Sequence, residues 1–295
     1  MQRSSRELSP LSPLPQSPAN PFPREDIVNE VLDLMDQVAS TALFGPIGVG
    51  KSSMALTLLH HNRIQAKYGV HRYFMRCDTM TNSLDGFLKG LSDATHINRT
   101  MDLAQLRLHL ESSPPLILLL DSVDLILDPL APEAEEISAA IEEFGSYEHV
   151  CLLTTSSMCP DIPGFHRVEV PILSEGDARD AFYSLCNVEK SPAVDDLISR
   201  LDFHPLSIDL LASSVRENDW DESTLLKSWD DDQTSPLKIE YHQRLKDAVE
   251  PLLRSPTVQD LGNVAVDILG AVAAFPRGIE VRRLQNTPTG ITGVG

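Results

Sequence analysis

The chain has 295 residues, 42% of them apolar and 23% charged, an ordinary balance for a globular protein with room for one large or two to three small domains. With 43 acidic against 24 basic residues the formal net charge is −19, which disfavours broad binding to nucleic acid or to an anionic membrane, and no Lys/Arg cluster offers a local exception. Cys77, Cys151, Cys159 and Cys186 form no C-x-x-C pair and read as buried free thiols rather than a zinc or redox site; no stretch has signal-peptide or membrane-spanning length, so a cytoplasmic setting is expected.

Residues 1–20 are rich in proline and serine, a composition that cannot bury enough to order itself, and read as a disordered leader. "REDIVNEVLDLMD" then has apolar residues at helical spacing, and "STALFG" is a short apolar run. "KSSMALTLLHHNRI" has helical spacing, with His60 and His61 placed to cap its end. "HRYFMRCD" reads as a strand, and "SLDGFLKGLSDA" and "DLAQLRLHLESS" as helices. "PPLILLLD" and "HVCLLTTS" are continuous apolar runs, the mark of strands buried on both faces in a helix-covered parallel sheet. Strands alternating with helices predict a three-layer α/β domain over 21–172, closing with the strand "RVEV". Past Pro171 the pattern is helical only. Ser174 has an N-cap position before "EGDARDAFYSLC", and "AVDDLISRL", "PLSIDLLASSV" and "ESTLLKSW" follow as short helices, giving a small all-α domain over 173–236. The last stretch, 237–295, contains an apolar segment that reads as a buried helix.

Three glycines within six residues separate the first apolar run from the next helix. Gly45-Pro46-Ile47-Gly48-Val49-Gly50-Lys51-Ser52 fits G-x-x-x-x-G-K-[ST], with a strand before it and a helix after it, as a phosphate-binding loop requires. Positions without side chains let backbone N–H groups close on phosphate oxygens at the positive end of a helix. Lys51 then neutralises the β and γ phosphates, the Ser52 hydroxyl ligates Mg2+, and Ser53 follows at the start of the helix. Asp121, at the end of "LILLLD", is the carboxylate such a metal needs, on a strand whose charged tip belongs at the carboxyl edge of the sheet. Asp124 is open to two readings, a water-orienting base for attack on the γ-phosphate or a solvated acid at a helix start. Thr154 and Thr155 are likewise either γ-phosphate-sensing hydroxyls or residues favoured by strand propensity. The histidines show no metal-ligand spacing.

Taken in order, these pieces resemble the NB-ARC branch of the STAND NTPases, nucleotide switches of apoptosis and of plant and fungal immunity. The resemblance covers residue 20 to about residue 285. "FPRED" is similar to the hhGRE signature, "GPIGVGKSS" to the Walker A loop, and "LILLLDSVD" to the Walker B strand. "CLLTTSS" resembles the sensor strand T-T-R, and "FHPLSIDLLA" resembles the G-L-P-L-A motif. The resemblance implies an ATP/ADP- and Mg2+-binding switch with Arg24 near the adenine and ribose, Pro205 against the base, and Thr155 near the phosphates. It also implies protein partners or self-association. It further implies a P-loop domain, a helical domain, and a winged helix beginning at "AVAAFPRGIEVRRL", with the chain stopping before the M-H-D motif and any repeat sensor domain. Ser122 replaces the second Walker B acid and Ser156 the sensor arginine, so hydrolysis is expected to be slow or impaired while binding survives. A turnover P-loop ATPase or kinase, and an interaction module without nucleotide, are the alternatives.

Overall fold

The structure is a computed structural model that describes residues 14–17, 24–37, 40–77, 83–97 and 101–230. The expected winged-helix region, 237–295, and most of the expected leader lie outside the described residues. Contacts within the chain divide it into two units. The first holds Asp26–Phe44 and Ser52–Val168; the second holds Arg24, Glu25, Gly45–Lys51 and residues 169–230 of the described chain.

The first unit is built on a sheet. Helix α1 (Glu25–Gln37) leads into β1 (Thr41–Phe44), and after the glycine loop come α2 (Lys51–His60) and α3 (Asn62–Tyr68). Then follow β2 (Arg72–Arg76), α4 (Leu84–Ala94), α5 (Leu103–Glu111), β3 (Leu116–Asp121), α6 (Ala134–Gly145), β4 (Val150–Ser156) and β5 (His166–Glu169). The strand order is β2-β3-β4-β1-β5, with β1–β4, β3–β4 and β2–β3 parallel. Every residue of β3 and β4 is buried, as their unalternating apolar runs require of central strands covered on both faces. β2 and β5, at the two ends of the order, keep mixed exposure. One core gathers Phe87 and Leu91 of α4, Leu106 of α5, Ile137, Ile141 and Phe144 of α6, and Leu118 and Leu120 of β3.

Local chemistry sets the ends of these helices. The Ser83 hydroxyl accepts from Gly86 N–H at 3.1 Å and the Asp102 carboxylate from Gln105 N–H at 2.8 Å, each satisfying an N-terminal donor. The run expected as one helix after the loop is two: α2 stops at His60, and the His61 ring accepts from Arg63 N–H to cap α3. The His60 ring donates to the carbonyl of Pro15 at 2.7 Å, so 14–17, expected within a disordered leader, are partly tied to α2. Helix α6 has no counterpart in the sequence reading. Cys77, Cys151 and Cys186 are buried, but Cys159, expected buried with them, is exposed on the loop after β4.

The second unit adds α7 (Glu175–Leu185), α8 (Pro192–Arg200), α9 (Pro205–Glu217) and α10 (Glu222–Asp230). Phe182 of α7, Leu197 and Ile198 of α8, Ile208 and Leu211 of α9 and Leu225 of α10 form its core. Ser174 caps α7 by accepting from Asp177 N–H at 3.1 Å, and Ser191 caps α8 ahead of Pro192. Pro205 opens α9, where its missing N–H costs nothing.

Candidate functional site

The glycine loop is held by donors from its own unit. Lys51 Nζ donates to the carbonyls of Gly45 at 2.8 Å and Pro46 at 2.9 Å. Leu206 N–H donates to the carbonyl of Gly48 at 3.2 Å, and the His204 ring packs beside it, its Cε1 3.0 Å from where a Gly48 Cβ would stand. The carbonyls of Gly45, Pro46 and Gly48 therefore have hydrogen-bond donors, with Val49 N–H also turned onto Pro46 at 3.3 Å. Val49 itself is fully buried and anchors the turn. Glycine is required here by backbone and by space. Gly48 has φ +74°, and a Cβ on it would stand 2.6 Å from Leu206 Cβ; a Cβ on Gly45 would stand 2.8 Å from the Val170 carbonyl oxygen. Gly50, at φ +98°, has nothing within 4 Å of its would-be Cβ, so only its backbone conformation demands glycine.

Two basic side chains, Arg24 and His204, accompany the loop in this unit. Nη1 and Nη2 of Arg24 are buried without a hydrogen-bond partner in the structure, and burial lowers the guanidinium from its ordinary value against the attraction of Asp177. A buried guanidinium left this way calls for an acceptor from a ligand. His204 is the N-cap of α9. Burial lowers its ring below the ordinary value, the nearby Ile47 carbonyl opposes that, and the charges of Lys51 and Arg24 add to the lowering. Asp202 and Phe203, just ahead of it, hold φ of 51° and 55°, a strained left-handed pair that aims the start of α9.

In the first unit the carboxyl ends of β3 and β4 form a second constellation. Thr155 Oγ1 donates to Asp121 Oδ1 at 2.7 Å and accepts from Ser122 N–H at 2.8 Å. Ser122 has φ 60°, a left-handed state for a residue with a Cβ, and the chain turns there immediately after the carboxylate. Asp124 Oδ1 accepts from the Ser156 hydroxyl at 3.0 Å and from Ser157 N–H at 2.7 Å. Asp121 is 6% exposed and Ser156 4%. From β1 the chain runs to β2 on one side, and from β4 to β5 on the other, so the topological crevice falls at the carboxyl ends of the adjacent strands β1 and β4.

The structure thus groups Arg24, Gly45, Pro46, Ile47, Gly48, Val49, Gly50, Lys51 and Pro205 in one unit, and Ser52, Ser53, Asp121, Asp124 and Thr155 in the other. The Thr155 hydroxyl donates a hydrogen bond to Asp121, and Asp124 accepts from Ser156 and Ser157. His204 and Leu206 were missed as loop partners; "FHPL" places them beside Pro205, but contacts with a loop so distant in sequence leave no spacing signal. One carboxylate and one hydroxyl are hard oxygen donors suited to Mg2+, which keeps waters and phosphate ligands rather than needing a protein cage. Among the described residues no group of three or more His, Cys, Asp or Glu side chains is placed to hold a metal, and no helix is long and apolar enough to cross a membrane.

Among solved structures the chain is similar to the Walker-type ATPase of Pyrococcus abyssi, with a TM-score of 0.57 and 14% identity over 89% of this chain and 87% of that one. It is also similar to PCH-2 of C. elegans, with a TM-score of 0.48 and 15% identity over 77% and 71%. A katanin structure concerned with its self-assembly gives a TM-score of 0.44 and 15% identity over 67% and 69%. No family profile and no curated protein matches the chain. At such identity the likeness to the archaeal ATPase establishes architecture: the chain has the α/β fold of the P-loop NTPases.

Proposed function

We propose that the chain is an ADP/ATP-binding switch of the NB-ARC (STAND) type, cytoplasmic, hydrolysing slowly, and signalling through protein partners or self-association. The observation that carries this reading is the loop itself, whose Gly45, Pro46 and Gly48 carbonyls are bonded to Lys51 and Leu206. A loop with its acceptors so engaged turns backbone donors toward a polyanion, for which Lys51 would exchange its carbonyl partners. Arg24 supports it with a buried guanidinium lacking a protein acceptor. Nucleotide would be held by Arg24, the loop from Gly45 to Ser53, Thr155 and Pro205, and Mg2+ by Ser52 and Asp121. Slow hydrolysis is supported by Asp124: a carboxylate already accepting from Ser156 and Ser157 is a poor base for water.

The test is the nucleotide released from purified, heat-denatured protein, identified by chromatography, together with ADP titration of Lys51→Ala. Removing this cation is expected to weaken ADP by about a hundredfold, two charge-assisted contacts at roughly 1.5 kcal/mol each. Wild-type affinity in the variant refutes the assignment of the loop. A second reading, a turnover ATPase, is favoured by the likeness to the Walker-type ATPase of Pyrococcus abyssi. Steady-state turnover separates the two, the switch requiring rates on the order of one per minute or less, as for unassisted P-loop hydrolysis.

A further inference from the structure

We propose that Thr155 is a positioning residue for the metal carboxylate: its hydroxyl holds one oxygen of Asp121, leaves the other for a cation, and so favours Mg2+ over Ca2+. The inference rests on the reading of Asp121 as a metal ligand above and goes beyond it by assigning how Thr155 acts and a metal preference.

Chemistry fixes the direction of both bonds. Ser122 N–H can only donate, so it occupies a lone pair of Thr155 Oγ1 at 2.8 Å. The hydroxyl has one proton, and that proton is directed at Asp121 Oδ1 at 2.7 Å. Thr155 is 1% exposed, and with its proton engaged it has no donor left for a phosphate oxygen. Its share in holding nucleotide therefore passes through Asp121. The backbone around the pair is tied from both neighbouring strands. Cys77 N–H, just past β2, donates to the Asp121 carbonyl at 2.8 Å, and Val123 N–H donates to the Thr155 carbonyl at 2.9 Å. The softest torsion left is the terminal one of the carboxylate, broad in an aspartate left to itself, and the Thr155 hydroxyl fixes it.

Among the described residues the Asp121 side chain accepts at Oδ1 alone, so Oδ2 is the oxygen left for a cation. Mg2+ demands near-ideal octahedral geometry, keeps several waters and takes only one or two carboxylates, so a single oriented oxygen serves it. Ca2+ is larger, gathers about six to eight oxygens, and takes carboxylates through both oxygens as well as through one. A two-oxygen clasp on Asp121 would compete with the Thr155 proton for Oδ1. The same hydrogen bond thus orients the ligand for one cation and obstructs the other.

The experiment titrates a non-hydrolysable ATP analogue into wild type, Thr155→Val and Thr155→Ser, without divalent metal and with excess Mg2+ or Ca2+. The readout is the gain in affinity that each metal brings; binding of metal to the analogue in solution is common to all three proteins and cancels. Thr155→Val keeps the branched shape and removes the hydroxyl. Its Mg2+ gain is expected to fall about tenfold, the scale for losing the partner of a metal ligand. Its Ca2+ gain should fall by less than about threefold, and its metal-free affinity should stay within about threefold of wild type. Thr155→Ser should restore the Mg2+ gain. On an Asp121→Asn background Thr155→Val should cost no further Mg2+ gain, because residues acting through one ligand are not additive.

An undiminished Mg2+ gain in Thr155→Val, equal losses for the two metals, a Thr155→Ser as poor as Thr155→Val, or additivity with Asp121→Asn overturns the positioning role. So does a metal-free affinity that falls as far as the Mg2+-bound one. The wild type supplies an arm that needs no variant: its gain from Mg2+ must exceed its gain from Ca2+, and equal gains overturn the proposal while nucleotide binding stands. A wild type that binds the analogue but gains nothing from Mg2+ overturns the metal reading of Asp121, and this inference with it. One that binds the analogue under no condition overturns the nucleotide reading as well.

Discussion

Gly48→Ala adds one methyl group at the point where the loop meets α9 within the second unit. Two costs follow from the coordinates. At φ +74° an L residue is disfavoured by about 1–2 kcal/mol. The new Cβ also lands 2.6 Å from both Cβ and Cδ2 of Leu206. Cδ2 ends a flexible side chain and can swing aside, but Cβ moves only with the first turn of the helix. That movement breaks the bond from Leu206 N–H to the Gly48 carbonyl, worth about 1 kcal/mol. The expected loss is about 2–3 kcal/mol, read by urea unfolding. Gly50→Ala is the internal control: its φ of +98° carries the backbone penalty, yet nothing lies within 4 Å of the added methyl. The difference between the two substitutions isolates the contact with α9, and Leu206→Gly, which deletes both clashing atoms, should recover about 1 kcal/mol of it. Equal losses for Gly48→Ala and Gly50→Ala, with strict additivity of Gly48→Ala and Leu206→Gly, refute the packing of α9 on the loop.

Asp121→Asn keeps the acceptor for the Thr155 hydroxyl but removes the charge; ADP without Mg2+ should bind within about threefold of wild type, while Mg·ATP weakens by about tenfold or more, one charge-assisted contact. Equal weakening of both ligands removes Asp121 from the metal site. Ser156→Arg tests the sensor position, where a phosphate-facing arginine would tighten ATP over ADP by about tenfold, roughly 1.4 kcal/mol. The structure lowers that expectation: Ser156 is 4% exposed and bonded to Asp124, so the guanidinium has a carboxylate beside it before it has a phosphate. The ATP/ADP ratio should move by less than about threefold, under about 0.7 kcal/mol, and a tenfold shift in parallel titrations refutes the diversion.

The sheet was legible because its central strands are buried on both faces and so are written as unbroken apolar runs; β3 and β4 have no exposed residue to blur the pattern. The helix caps at Ser83, Asp102 and Ser174 are local hydrogen bonds, three residues long, and local chemistry is what a sequence displays. Helix α6 went unread although Ile137, Ala140, Ile141 and Phe144 recur at helical spacing, because its first turn is masked by the loop-like acidic and proline-bearing stretch before it. The break at His61 depends on a ring nitrogen accepting from Arg63 N–H, a choice that a histidine pair does not announce. Within the site, the loop was legible because its glycines answer a backbone requirement. Phe203 shows the converse, a bulky residue at φ 55° where sequence reasoning would ask for glycine. Asp124 stayed open between a base and a solvated acid since both partners come from the end of another strand.

The occupied loop carbonyls also constrain how a nucleotide could act on this chain. Lys51 Nζ presently serves Gly45 and Pro46, whereas Gly48 is served from α9 by Leu206 N–H. A phosphate that draws the lysine away releases the first two acceptors, at a cost of about 1 kcal/mol each if they go unsatisfied, and offsets that with stronger charge-assisted contacts. The Gly48 acceptor keeps its donor, so the end of the loop at Gly48 is the fixed one and the end at Gly45 is the one that must adjust. Substitutions at Gly45, against the Val170 carbonyl, therefore report on a different step from those at Gly48. Gly45→Ala meets backbone that cannot swing aside and disturbs the loop whether or not ligand is present. Gly48→Ala strains the grip of α9, and its effect on ADP affinity should be relieved in part by Leu206→Gly, a relief that Gly45→Ala has no reason to share.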